Sequence, residues 1–335
     1  MMVSTSLIDT ARFVSDHELF PRAIEADVSG LVPSQQLDIL KSVGLYGLFS
    51  PSHVGGAGVD IATQHQVVEI LASGCLTTTF CWVQHGGASK AAANAEGPMK
   101  DEWADRLASG EARGGVAFAH LVRPGPPTLV AENKSTGWHF SGTAPFVTGW
   151  GDIDVVLVAA RHENKIVWAL VEANETNCIR TRSLSLAALN STHTVELSFD
   201  SLYVDQTQVT QIQEFDSWYL QYQSGLRANG SLGLGVTSRA LSLLGPSALD
   251  NELIATRSML DGASVSELPA ARGRLGDLCI RSTSALLASR GGSGMIVDQH
   301  AQRLAREALF LLVQGQTPEI KKIHVERLTH SNINS

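Results

Sequence analysis

A short turn near the C-terminus carries polar side chains between two segments with helical character. The sequence VQGQTPEIKK occupies residues 313–322, and its turn spans residues 314–316. Threonine can accept hydrogen bonds from the first free amides of a helix, and proline suits the first helical position, so a helix is predicted to begin at Thr317-Pro318. The side chains before that helix are uncharged, so the turn supplies neither an acid nor a base.

Other side chains capable of chemistry are scattered along the chain. The eleven histidines form no cluster, and His85 and His120 lie in the apolar segments CWVQHGG and VAFAHLV. Histidines in such segments usually occupy a core or a cleft, and a direct chemical role is the alternative. The four cysteines are predicted to be buried free thiols. No Cys or His pair has the spacing of zinc ligands, so no metal site is predicted.

The composition is that of a compact protein. The chain has 335 residues, of which 44% are hydrophobic and 17% charged, enough for two or three domain-sized units. A formal net charge of −8 and the lack of a Lys/Arg-rich run argue against a nucleic-acid partner. No stretch reaches the ~18 apolar residues of a membrane span. The segment MMVSTSLIDTARFVSD lacks the pattern of a signal peptide, so a cytoplasmic location is expected.

Hydrophobic periodicity divides the chain into three regions. Helical spacing dominates residues 1–111, where Gly74 interrupts a long apolar stretch. Short segments with β character, such as HTVELSFDSLYV, fill residues 112–207 and indicate a barrel or sandwich. Helical spacing returns in residues 208–335. The prediction is an N-terminal all-α domain, a central β domain and a C-terminal helical bundle.

The lack of certain glycine motifs argues against several nucleotide-binding folds and the α/β-hydrolase fold. The segment GSLGLG, with Gly230, Gly233 and Gly235, does not match G-x-G-x-x-G and lies in a helical region rather than after a strand. The chain has no G-x-x-x-x-G-K-[ST] and no G-x-S-x-G motif, which argues against a P-loop and an α/β-hydrolase. The small residues of GSLGLG instead suit close helix packing.

Four motifs, in order, resemble those of the acyl-CoA dehydrogenase family of flavoproteins. They are LKSVGLYGLFSPSHVGGAGVD, FSGTAPFVTGWGDIDVVLVAAR, ALNSTHTVELSFDSLYV and GGSGMIVDQHAQRLAREALFLLVQGQTPEI. The first is similar to the family's helix and P-x-x-x-G-G-x-G loop, the next two to its β domain, and the last to its C-terminal series. The match spans about residues 35–328. It implies an α+β fold of the acyl-CoA dehydrogenase type, an FAD cofactor and a dimer or tetramer through the C-terminal bundle.

The resemblance implies a flavin-binding surface on the β domain. The family's W-I-T segment holds the flavin ring, and its L-T-E-P segment precedes it along the chain. The matching residues here are Leu121, Val122, Phe146, Val147 and Thr148. Arg123 replaces the glutamate, and the G-S-D tail that normally follows is absent, so the family's serine near coenzyme A has no clear equivalent. This weakens the case for an ordinary CoA thioester substrate.

The resemblance also implies contacts to the other half of FAD. The family's Q-x-x-G-G motif corresponds to Gly291 and Gly292, with Ala288 in the glutamine position. The adjacent Arg290 could contact a pyrophosphate, whereas the alternative for this glycine pair is a simple helix stop. The family's R-Q-x-F-G segment has no match, and Arg257 is the nearest basic candidate.

The family's catalytic base has no equivalent in this sequence. In the family a carboxylate removes the α-proton while the flavin receives the β-hydride, and the base is the glutamate of Y-E-G-T. The matching residue here is Gly315. Some relatives carry the base on the first long helix after the β domain, where LQYQSGLRANG offers Gln223 and no carboxylate. The catalytic residue is therefore unknown.

The C-terminal series has four further residues of interest. Thr317 and Glu319 match residues that lie near the flavin in relatives, although a capped helix needs no ligand to explain the threonine. Arg306 and Glu307 match the family's R-[DE] pair and are expected to be two solvated surface charges.

Three functional hypotheses follow from this resemblance. The first is an FAD-dependent oxidoreductase acting on an acyl-CoA or related small substrate with altered chemistry, for which His85, His120 and Asp216 are candidate groups. The second is a non-catalytic subunit of a hetero-oligomeric complex. The third is a flavin-free module that binds a small molecule.

Overall fold

The computed structural model describes residues 6–329 and follows the predicted α–β–α order, with the acyl-CoA dehydrogenase type of architecture. The N-terminal helices are α1 (Leu7–Val14), α2 (Ala23–Val28), α3 (Ser34–Ser42), α4 (Ile61–Gly74), α5 (Leu76–Asn94) and α6 (Pro98–Ser109). The predicted break at Gly74 is confirmed, because Cys75 has an extended backbone between α4 and α5. A Cβ on Gly74 would lie 2.7 Å from the Ser15 carbonyl oxygen, so the glycine allows close packing there.

The strands join into one mixed sheet with the order β6-β7-β3-β2-β4-β5-β8. They are β1 (Gly114–Ala117), β2 (Leu129–Lys134), β3 (Gly137–Val147), β4 (Val155–His162), β5 (Lys165–Glu172), β6 (Ile179–Ser183), β7 (Val195–Asp205) and β8 (Val209–Glu214). β1 lies off this path and pairs in parallel with β4. The last strand pairs with β5. One face of the sheet forms an apolar cluster, and alternate residues of β1, β4 and β5 face a second cluster that they share with α5 and α6.

Most of the C-terminal helices pack against α10. They are α7 (Phe215–Ser224), α8 (Leu226–Leu244), α9 (Leu249–Gly262), α10 (Leu268–Arg290), α11 (His300–Val313) and α12 (Pro318–Thr329). A Cβ on Gly235 would lie 2.3 Å from the carbonyl oxygen of Glu69 on α4, and one on Gly233 would lie 2.9 Å from Leu275 on α10. The glycines of GSLGLG therefore let α8 approach two neighbouring helices closely, as their sequence context predicts.

The prediction that Arg306 and Glu307 are solvated surface charges is wrong. The Glu307 side chain is only 1% exposed and pairs at 2.5 Å with Arg303, which is equally buried. Arg306 pairs with Asp27 of α2, whose side chain is 2% exposed. The error has a physical cause: the helix period places Glu307 inward, and the partner of Arg306 lies 279 residues away along the chain.

The described residues hold neither a metal-binding cluster nor a membrane-spanning helix. Residues 6–329 contain no group of three His, Cys, Asp or Glu side chains that could hold a metal ion. Within the same range, no helix combines the length and hydropathy needed to cross a bilayer. All four cysteines are free; Cys178 is partly exposed and the other three are buried.

Candidate functional site

Two segments of the β region form one surface. A short helical turn at Ala119–Val122 follows β1 and contacts β3, with Leu121 buried and Val122 half-buried. Phe146 lies at a register shift in β3, has a φ of 60° and is 47% exposed. A positive φ is uncommon for an aromatic residue and marks a bulge that re-aims the side chain. The Arg123 guanidinium lies 5.3 Å from the Phe146 ring centroid, so the two segments are in contact.

The next two residues, the last of β3 and the one that follows it, are buried. Val147 is fully buried and pairs with Val195 of β7, so its side chain belongs to the sheet core. The Thr148 hydroxyl lies 3.3 Å from that of Thr194, which lies 2.8 Å from that of Thr192.

The donor and the acceptor in each hydrogen bond between these threonine hydroxyls can be assigned. Thr192 donates to the Leu189 carbonyl oxygen at 2.7 Å. Because each hydroxyl has one proton, Thr194 then donates to Thr192, and Thr148 donates to Thr194. The remaining lone pair of Thr148 can accept a hydrogen bond. Sequence reasoning missed the two supporting threonines, and the THT pattern alone does not show that they meet Thr148.

Both candidate histidines are buried and neutral. The His85 Nδ1 atom accepts a hydrogen bond from the Gly114 amide at 3.0 Å, and burial lowers its pKa to about 3. The His120 Nε2 atom lies 2.9 Å from the Ala159 carbonyl oxygen, which requires a proton on that nitrogen. Burial lowers the pKa of His120 to about 4. The second nitrogen of each ring is buried without a partner among the described residues. Neither residue can therefore serve as a cationic acid at neutral pH.

These two histidines predict a loss of stability in acid. An unfolded histidine has a pKa of about 6.5, so the unfolded chain gains protons first as the pH falls. The contribution is complete above pH 6.5 and is lost toward the folded pKa values of about 3 and about 4. At pH 5, linkage gives a loss of about 2 kcal/mol for each ring. Urea unfolding at pH 8 and pH 5 measures the change.

The matched variant for this test is His120→Gln, which retains a donor to the Ala159 carbonyl oxygen. It should reduce the stability difference between the two pH values by about 2 kcal/mol. His53→Gln, at an exposed position, controls for the removal of a histidine. An unaltered pH dependence in His120→Gln would contradict the burial of a neutral ring.

Aromatic side chains of α7 link the sheet to the start of α12. Phe118, directly before the Ala119–Val122 turn, lies 6.2 Å from both Trp218 and Tyr222, measured between ring centroids. Tyr219 stacks beside Tyr222 on the same helix. Burial and then the nearby Glu319 carboxylate raise the pKa of Tyr219. Glu319 is therefore near enough to Tyr219 of α7 to favour its neutral form.

The C-terminal turn has the predicted form. The Ile320 amide donates to the Thr317 hydroxyl at 3.3 Å, so threonine caps α12 as expected. Gly315 has a φ of 58°, and a Cβ there would lie 2.7 Å from the Nδ2 atom of Asn229 on α8. Gln314 donates from Nε2 to the Asn229 Oδ1 atom at 3.4 Å. The position that matches the family's base thus has an amide as its neighbour.

A buried arginine lies behind this turn. Arg272 of α10 is 4% exposed and donates to the carbonyl oxygens of Leu226, at 3.1 Å, and Gln314, at 3.3 Å. Burial lowers its pKa to about 10, so it remains a cation at neutral pH. It lines a small cavity together with Asn229. Sequence reasoning missed both residues, because nothing in AARGRLGD or LRANG marks them as neighbours of the turn.

Gly291 and Gly292 lie far from this cluster. Gly291 has a φ of 58° and ends α10 directly after Arg290, so the helix-stop alternative describes its local structure. Arg272 and Arg290 are 18 positions apart on α10, which separates the glycine pair from the turn by roughly 27 Å at the usual helical rise. Arg290 donates to the Leu243 carbonyl oxygen. Arg257, the other basic candidate, is paired with Glu69.

The two remaining candidates lie on α7. Asp216 is in its first turn, near enough to Arg161 to favour that residue's charge. The Arg161 guanidinium itself lies 4.0 Å from the Phe215 ring centroid. Gln223 lies at the other end of the same helix. Neither residue brings a carboxylate to the Gly315 turn.

Comparisons with known proteins agree with this architecture. Residues 4–111 match the profile described as "Acyl-CoA dehydrogenase, N-terminal domain". The human mitochondrial short-chain specific acyl-CoA dehydrogenase is 22% identical over 292 residues, which cover 84% of this chain and 69% of that protein.

Solved structures share the fold over nearly the whole chain. Butyryl-CoA dehydrogenase from Megasphaera elsdenii has a TM-score of 0.79 at 17% identity, covering 98% of this chain and 100% of its own. A glutaryl-CoA dehydrogenase from Mycobacterium smegmatis in complex with FADH2 has a TM-score of 0.79 at 18% identity, covering 96% and 93%. At these identities, the structural likeness shows the fold alone.

Proposed function

We propose that the chain is a member of the acyl-CoA dehydrogenase family and, on that premise, an FAD-dependent oxidoreductase with altered chemistry. Its substrate would be an acyl-CoA or a related small molecule. The reaction would not use a carboxylate at the C-terminal turn as its base. The observation that carries this proposal is the pairing of Gly315 with the Asn229 amide.

The residues on the β-domain surface fit a flavin ring. Phe146 offers an aromatic ring that is 47% exposed and lies under the Arg123 guanidinium, and the half-buried Val122 adds apolar surface on the adjoining turn. Thr148 has a lone pair available, because its proton is used by Thr194. FAD, when bound, would supply the capacity to accept a hydride or electrons. The protein's part is to cover the ring, exclude water and accept a hydrogen bond at the Thr148 Oγ1 atom.

The residues expected near the FAD pyrophosphate fit that role less well within one chain. Arg257 is occupied by Glu69, and Arg290 is occupied by a backbone carbonyl. Gly291 and Gly292 have open space around their α-carbons, which would permit a close approach by a ligand from outside the chain. These observations favour the second hypothesis, a non-catalytic subunit of a hetero-oligomer, or a flavin-free binding module.

A further part of the proposal concerns assembly. The apolar side chains of Leu309 and Val313 lie one turn apart on α11 and are 60% and 64% exposed. Such a face suits contact with another subunit. A homo- or hetero-oligomer through the C-terminal bundle is therefore part of the proposed function.

The turn explains why the usual reaction is not expected. The α-proton of a thioester is weakly acidic, so a base must lie directly beside it in a dry pocket. An amide nitrogen cannot accept that proton, and glycine has no side chain. Thr317 is used as a helix cap, and Glu319 lies beside Tyr219. The geometry retains the family's turn without its proton acceptor.

A spectrum of the purified full-length protein is the first test. We expect flavin absorption at about 450 nm together with little or no dehydrogenation of butyryl-CoA in the presence of an artificial electron acceptor. A colourless protein that stays colourless with added FAD would instead favour the non-catalytic and flavin-free alternatives. Rapid turnover of butyryl-CoA by the unmodified protein would overturn the proposal.

Restoring a base at the turn is a sharper test. Gly315→Glu alone should gain no activity, because its Cβ would meet the Asn229 amide and its φ is unfavourable for a side chain. Gly315→Glu combined with Asn229→Gly removes that contact and should gain dehydrogenation of butyryl-CoA. Gly315→Gln with Asn229→Gly is the matched control, because it has the same shape and no carboxylate.

A further inference from the structure

The C-terminal turn presents hydrogen-bond donors, whereas proton abstraction needs an acceptor. The Asn229 Nδ2 atom stands 2.7 Å from the Cβ position of residue 315, where the family's carboxylate would begin. Gln314 donates to the Asn229 Oδ1 atom, which turns the Nδ2 donors toward the turn. Hydrogen-bond donors therefore stand where the family has an acceptor.

The charge behind the turn lacks a counter-ion. Arg272 is buried, and among residues 6–329 Tyr222 is the one titratable group found to favour its charge. Burying a cation without an anion is costly. A guanidinium has five N–H donors, whereas the observed bonds to Leu226 and Gln314 use two of them. Its positive field therefore reaches the small cavity that it shares with Asn229.

We propose that this turn binds its ligand through a carboxylate group. The Asn229 amide would donate to the carboxylate, and the Arg272 cation would provide the favourable potential behind it. A neutral group of the same shape would gain the amide contact without the electrostatic part. This inference rests on the proposed function in placing the ligand at the family's substrate end, but its measurement does not require flavin.

Thermal unfolding with sodium propionate tests the carboxylate, with propionamide as the neutral isostere. Each is compared with sodium chloride at equal ionic strength. We expect propionate to raise the melting temperature along a saturable curve, as a ligand that binds only the folded state must. Propionamide and chloride should give much smaller effects. Equal effects of propionate and chloride would overturn the proposal.

Three variants locate the site. Asn229→Asp replaces the donor with a carboxylate and should weaken propionate binding at least about tenfold, since hydrogen bonds to a charged group are worth that much or more. Arg272→Gln should do the same by removing the cation. Arg274→Gln, on the same helix but partly exposed, is the matched control and should bind like the unmodified protein.

Asn229 is half-buried, so its variants should fold even if Arg272→Gln does not. In that case Asn229→Leu joins Asn229→Asp, and both should lose binding. Undiminished propionate binding by Asn229→Asp would overturn the assignment. A yellow protein that does not bind propionate would refute only the carboxylate inference. A colourless protein that binds propionate would refute only the flavin proposal.

Discussion

Glu307→Ala is expected to destabilise the protein by about 3–5 kcal/mol, the usual cost of removing one partner of a buried ion pair. Glu307 and Arg303 are each 1% exposed and pair at 2.5 Å, so the alanine variant leaves a cation without a partner inside the bundle. One guanidinium nitrogen and one carboxylate oxygen already lack partners among the described residues, so no neighbour is placed to replace the lost contact. Urea unfolding at neutral pH measures the free energy of unfolding.

The paired variant Arg303→Met with Glu307→Leu separates charge from packing. It removes both charges and retains most of the volume, so it should be far more stable than Glu307→Ala. Asp9→Ala, which removes one partner of the exposed pair with Arg12, should change stability by less than about 1 kcal/mol. If Glu307→Ala behaved like Asp9→Ala, the burial of the pair would be incorrect.

Gly235→Leu should destabilise the protein by more than about 3 kcal/mol, at or beyond the upper end of overpacking effects. A Cβ on Gly235 would lie 2.3 Å from the Glu69 carbonyl oxygen and 2.8 Å from Ala72. The obstacle is the backbone of α4, which cannot rotate away as a side chain could. The two helices would therefore have to separate. That separation would disturb the core residues Val67, Val68 and Leu71, which lie on α4. Denaturant unfolding and soluble yield report the loss.

Gly262→Ala is the matched control for helix packing. Gly262 is the last residue of α9 and has no neighbouring atom within 4 Å of its Cβ position. Alanine there should be neutral or slightly stabilising, because it restricts the unfolded chain and meets no obstacle. A well-folded Gly235→Leu protein would show that α4 and α8 are further apart than described.

Local sequence patterns predicted the elements well. The break at Gly74, the threonine cap of α12 and the alternation in β7 depend on residues near each other in the chain, so periodicity and turn chemistry suffice to find them. Close packing at Gly235 was also predictable from small residues in a helical context. The burial of Glu307 was not, because its inward direction depends on how α11 packs in the bundle.

The site was only partly predictable. The resemblance pointed to Phe146 and Thr148, which lie two residues apart at the end of β3, and to Gly315, which the structure places beside Asn229. Asn229 and Arg272 come from different helices and meet the turn only in three dimensions, so no spacing in the sequence marks them. The bulge that exposes Phe146 likewise arises from its pairing with β7.

The contact between Arg306 and Asp27 limits how the chain can be divided. Asp27 belongs to the segment that matches a separate N-terminal domain, yet its carboxylate is 2% exposed and pairs with Arg306 of α11. Cutting the chain after residue 111 would leave that acid without its cation and uncover apolar surface of the neighbouring helices. The ion pair therefore links α2 to α11 across the end of the matched segment, so the stability of that segment depends on a side chain 279 residues further along the chain.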